Sequence, residues 1–149
     1  FLGAVVLTGT IGERAYAQFR AGLLRRIGRE EKILLPAAQR QRGGEPLPLA
    51  AKLRLDHGAL ASLLMPTPTA AILAAIHNIL VDHNVLEEGA GGLYETCDAL
   101  AGPEVEPTLA ALRAAPEVTV MPYNDSPAVM NAVCRALERA GYHLREQHP

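Results

Sequence analysis

Residues 25–36 read RRIGREEKILLP and sit inside a longer segment, Gly12 to about Ala38. In that segment Tyr16, Phe19, Leu23, Leu24, Ile27, Leu34 and Leu35 recur at spacings of three and four, with Arg and Glu between them. This is the period of a helix with one apolar face. Glu30 and Glu31 interrupt an otherwise apolar and basic run. Downstream, residues 41–48 hold two Gly and two Pro and predict a loop. Pro48 suits the first turn of a second helix, where its missing N–H costs nothing. That helix carries Leu49, Leu53, Leu60, Leu63 and Leu64 and stops at Met65-Pro66.

Thr67 is the expected N-cap of a third helix that begins with Pro68 and runs to Glu88. Its apolar face is Ile72, Ile76, Ile79, Leu80 and Leu86, and Gly89-Ala90-Gly91-Gly92 breaks it. Two short helices are expected at residues 93–101 and 106–115. Residues 117–123, with Val118, Val120 and Met121, could be extended, yet nothing in the sequence offers them a partner strand. Ser126 can cap a last helix, Pro127 to Gly141, with Val129, Met130, Val133 and Leu137 on its apolar side. The expectation is an all-α chain, most simply a helical bundle over residues 1–101, with residues 102–149 as a C-terminal helical extension packed on it.

Composition agrees with one folded unit. A chain of 149 residues is the size of a single domain, and 49% hydrophobic residues suffice for a core, which argues against disorder. Fourteen Lys plus Arg against 16 Asp plus Glu leave a formal charge of −2, so no basic excess points to nucleic acid. Cys97 and Cys134 lie far apart in sequence and form no CxxC pair, which disfavours a disulfide scaffold or a structural zinc site. Both are expected to be small buried apolar groups. The apolar run at residues 1–8 is too short to span a bilayer and lacks the basic start of a signal peptide. The expected address is the cytoplasm, with no membrane partner, and a chain opening on Phe1 is expected to have lost its original start.

The histidines carry the chemistry. His57 is mid-helix in Leu55-Asp56-His57, and His83 is mid-helix in His83-Asn84-Val85-Leu86-Glu87-Glu88. His83 and Glu87, four apart, share a helix face. A carboxylate from the first helix, a His from the second, and a His with a carboxylate from the third could converge in a bundle core. Such mixed nitrogen and oxygen ligands suit iron or a similar transition metal. His77, six residues before His83, falls on another face, and His143 and His148 belong to a polar tail. Ser62 and Ser126 have no nearby His or glycine elbow, so no nucleophile and base pair suggests an enzyme.

In order and spacing these segments resemble the hemerythrin-like (HHE) family. Its pattern is HIxxEExxLxP, then DH, then HxxxEE followed by a Tyr, here Tyr94. The resemblance covers roughly Ala15 to Ala101. It implies an up-down-up-down four-helix bundle with a non-haem di-iron centre between its helices. Carried over, Glu30 and Glu87 are similar to bridging carboxylates, and His57 and His83 to terminal imidazole ligands. Three departures follow. The motif His is Arg26, the ligand four residues after the DH histidine is Ala61, and residues 1–11, where the family's first helix would end, contain no His. At most four of about seven ligands remain, and the first helix is truncated or divergent.

Arg26 cannot ligate a metal and stays protonated. In a ligand position it is expected to pair with Glu30 one turn on and fill the site with its own positive charge, because buried carboxylates deprived of a dication would otherwise be left unpaired. The resemblance therefore implies a domain holding one or two iron ions, for sensing oxygen, nitric oxide, redox state or iron, through Glu30, His57, His83 and Glu87. A metal-free helical module that docks a protein partner or a second copy is the alternative. An iron-dependent redox enzyme acting on peroxide or nitric oxide ranks last.

Overall fold

The computed structural model describes residues 12–144, and all regular structure among them is helical. Helix α1 is Glu13–Arg29, and it passes through one π turn, Glu30–Leu34, into α2, Leu35–Gln41. Pro36 explains the interruption. It has no N–H for the carbonyl four residues back, and its ring crowds that carbonyl, so the chain widens there instead of breaking. The remaining helices are α3 (Ala50–Leu63), α4 (Ala70–Glu88), α5 (Leu93–Ala101), α6 (Val105–Ala114) and α7 (Pro127–Ala140). A single 3-10 turn, Gly102–Glu104, joins α5 to α6.

Two helix starts differ from expectation. Pro48 lies just outside α3, which begins at Ala50. Helix α4 is capped by Thr69, whose Oγ1 accepts from the Ile72 amide at 3.2 Å. Thr67 has been drawn into a tertiary contact: its amide and hydroxyl donate to Asp125 at 2.8 and 2.7 Å. Residues 117–123 form no strand, and the Asn124 amide donates to the Met65 carbonyl beside them. Ser126 caps α7, and Gly141, at φ +90°, ends it in the left-handed conformation that glycine adopts without strain. The expected truncated first helix falls on residues 1–11, outside the described residues.

Two apolar clusters hold the helices together. The larger joins Tyr16 and Leu23 of α1, Leu60 and Leu63 of α3, Ile72, Ile76 and Ile79 of α4, and Val129, Val133 and Leu137 of α7. The smaller joins Leu35 and Ala38 of α2, Leu47, Leu53 and Leu93. The first long helix enters the larger cluster and leaves in the smaller, α3 runs the other way, and α4 reverses again, so neighbouring helices alternate in direction. Helix α7 also opposes α3: Asp125 meets Thr67 at one end, and Lys52 Nζ donates to the Ala140 carbonyl at 2.8 Å at the other. Residues beyond 102 thus share a core with those before it. Arg20, unremarked in the sequence, is buried between these parts, donating to the carbonyls of Leu64 at 2.6 Å and Met121 at 2.7 Å. Cys134 is exposed and Cys97 half-buried, which corrects the expectation that both are buried; Cys134 lies one position past Val133, on the rim of the helix's apolar stripe. Among the described residues no helix is long and apolar enough to cross a membrane.

Candidate metal centre

Between the two apolar clusters lies a layer of buried polar groups: Glu30, Asp56, His57, His83 and Glu87. The π turn supplies Glu30, α3 supplies Asp56 and His57, and α4 supplies His83 and Glu87 one turn apart. One ligand atom from each of Glu30, His57, His83 and Glu87 lies within 4.8 Å of all the others, so these four buried residues could hold a metal ion.

The orientation of each side chain carries more weight than the clustering. His57 Nδ1 bonds Glu31 Oε1 at 2.7 Å, and His83 Nδ1 bonds Asp56 Oδ2 at 3.1 Å. Both imidazoles thereby spend one nitrogen on a carboxylate and aim Nε2 inward. This is the arrangement by which carboxylates orient metal-ligating histidines. Behind them, Lys52 Nζ donates to Asp56 at 2.8 Å and Arg54 Nε sits 3.6 Å from Glu31. The carboxylates are divided in the same manner. Tyr94 Oη lies 2.7 Å from Glu30 Oε1 and 2.9 Å from Glu87 Oε2, on the outer edge of the site. Their inner oxygens, Glu30 Oε2 and Glu87 Oε1, and His57 Nε2 are buried yet make no hydrogen bond of proper alignment among the described residues. His57 Nε2 lies 2.8 Å from Glu30 Oε2 and 3.6 Å from Glu87 Oε1, and His83 Nε2 pairs with Glu87 Oε1. Two imidazole nitrogens and two carboxylate oxygens thus face one another across one small buried space, the donor set of a cation site. The residues present therefore fit a bound cation.

Arg26 closes the outer side. It is one-third exposed and pairs with Glu87, with Glu30 at 3.3 Å, and with Glu88 at 3.6 Å. It also contacts Tyr94 at 3.3 Å and Asn84 at 3.1 Å. Its positive charge rests on the outer oxygens and leaves the inner ones facing the imidazoles.

Burial works against a charged His57, but the carboxylates of Glu30, Glu87 and Glu31 overcome it and push its pKa up to about 10. Burial and the carboxylates of Asp56 and Glu87 act on His83 in the same two directions, and the net shift is again upward. Burial raises the Glu87 carboxyl, and the two histidines more than offset that, leaving it below the usual carboxylate range. The sign of the pH dependence follows. A histidine raised in the folded state stabilises fully below its unfolded value of 6.5, and that contribution disappears as pH climbs through about 10. A lowered carboxyl stabilises above its unfolded value and is lost toward acid. Protein stripped with chelator is expected to lose on the order of a few kcal/mol of stability between pH 6.5 and pH 10. Urea midpoints at those two pH values test it against His57→Gln, which should flatten the dependence. Equal midpoints in the parent would contradict it.

Exposed His77 and His143 lie apart from the site, and His148 is outside the described residues. Asp56, Glu31, Asn84 and Lys52 are the supporting residues that sequence reasoning did not assign. The signal for Asp56 was present: a helical neighbour of His57 points about 100° away, toward a different partner. No protein-family model, curated protein or solved structure matches this chain.

Proposed function

We propose that the chain is a hemerythrin-like, non-haem iron-binding domain that holds a single ion through Glu30, His57, His83 and Glu87. The observation carrying this is that ligand atoms of Glu30, His57, His83 and Glu87, all buried, lie within 4.8 Å of one another, with both imidazoles turned inward by carboxylates on their other nitrogens. Two imidazoles and two carboxylates suit iron, manganese or zinc, and the resemblance favours iron. Arg26 stands where the family pattern has a histidine and supplies fixed positive charge in place of a second ion. The four protein ligands hold and orient the ion, and Arg26 and Tyr94 orient the carboxylates. When bound, iron with so few protein ligands keeps open positions for dioxygen or nitric oxide, which suits sensing of gas, redox state or iron.

Arg26 also favours a second function, a metal-free helical interaction module, because its pairing with Glu30 and Glu87 already neutralises part of their charge. Elemental analysis of protein expressed with supplemented iron, beside Arg26→His, separates the two. About one metal ion per chain in the parent is expected for a site with four ligands. Metal in Arg26→His alone would mean that Arg26 closes the site, and metal in neither would leave the interaction module.

A further inference from the structure

On the opposite side of α1 and the π turn from Glu30 lies a groove of about 530 Å³, walled by the end of α6 and residues 115–119. This is within the range of small-molecule sites, roughly 300–1,000 Å³. Arg25, Arg29 and Lys32 line it at spacings of four and three, so they share one helical face. None of the three makes an ion pair among the described residues, in contrast to Arg26 between them. The Nε atoms of Arg25 and Arg29 are moreover buried with no hydrogen-bond partner there. Both side chains are partly exposed, so two guanidinium groups without an ion-pair partner on adjacent turns present their outer nitrogens to the groove, a match for an oxyanion with several acceptor oxygens. Glu117, also in the lining, offsets one of the three positive charges, and the remaining two match a dianion. The facing wall is aliphatic, from Ala111, Ala114, Pro116 and Val118, and no aromatic ring lines the groove to stack a base.

We propose that this groove binds a phosphate monoester with a short aliphatic body, the phosphate held by Arg25 and Arg29 and the chain lying on the alanine, proline and valine wall. The proposal uses none of the candidate metal ligands and stands independently of metal binding.

Calorimetric titration of the full chain with octyl phosphate tests it, in metal-loaded and chelated protein alike. Saturable one-to-one binding is expected. Inorganic phosphate lacks the body and octanoate lacks the second charge, and each is expected to bind at least about tenfold more weakly. The double variant Arg25→Gln/Arg29→Gln is expected to lose affinity by about the same factor, because each carries charge-assisted bonds. Gly28→Leu plugs the groove and leaves all three cations: a Cβ there would already stand 3.9 Å from Val118 Cγ2. It too should abolish binding, with helicity compared by circular dichroism. Should Gly28→Leu fail to fold, the double arginine variant decides. Absence of saturable binding would overturn the proposal. Octanoate affinity equal to that of octyl phosphate would also overturn it, as would affinity unchanged in the double variant. Binding confined to vesicles of anionic lipid would identify the basic face as a membrane contact instead.

Discussion

Glu87→Ala is expected to abolish metal binding and to lower the melting temperature of the metal-free protein by on the order of 10 °C. The size of the effect follows from the number of groups that meet one carboxylate. Glu87 is fully buried, and it faces His83 and His57 with one oxygen and Arg26 and Tyr94 with the other. Removing one member of a buried charged network leaves the others uncompensated, at about 3–5 kcal/mol. Removing a ligand should also cost more metal affinity than the roughly 10–100-fold typical of a supporting partner. Asp56→Asn provides that comparison, because Asp56 meets the site through His83 alone while its other oxygen accepts from Lys52. Elemental analysis and thermal melts on the two variants check both parts. Full metal content in Glu87→Ala would exclude Glu87 as a ligand, whatever happened to stability.

Deleting residues 117–149 is expected to unfold the rest of the chain. Val133 and Leu137 are fully buried and Val129 nearly so, all in the cluster shared with α1, α3 and α4. At about 1.5–3 kcal/mol each, their burial sums to about 6 kcal/mol. Leu60 and Leu63 of the larger cluster would be uncovered as well. Since a domain's whole stability is about 5–15 kcal/mol, little would remain. Circular dichroism should report lost helicity and a broadened, low melting transition. An unchanged melting curve would instead make α7 an appendage of a self-sufficient bundle, as a boundary at residue 101 would have it.

The helices were legible because their cause is local. Apolar residues at intervals of three and four through 13–41, 50–63 and 70–88 can share a face only on a helix, and Ser126 and Gly141 mark the ends of α7 by their own side-chain and backbone chemistry. Where a residue had two competing uses, sequence was ambiguous. Thr67 and Thr69 are equally good caps by composition, and Asp125, 58 residues away, took Thr67. The π turn was hidden for a related reason: apolar periodicity is nearly blind to a one-residue shift in hydrogen-bond register within a continuous helix.

The candidate site divides along the same line. Sequence alone determined the all-helical character, the pairing of His83 with Glu87 on one face, and the short list of groups able to meet a cation. It also placed Arg26 one turn before Glu30, so a cation would stand beside that carboxylate in any helical fold. Only the tertiary structure decided that three helices bring Glu30, His57, His83 and Glu87 within 4.8 Å, and that Asp56 and Glu31 turn both imidazoles inward. It alone placed the end of α6 and residues 115–119 over Arg25 and Arg29. The reason is physical. Helix formation is governed by neighbours within one turn, whereas the desolvation of a charge and the identity of its partner depend on segments far apart in the chain, fixed only when apolar clusters pack.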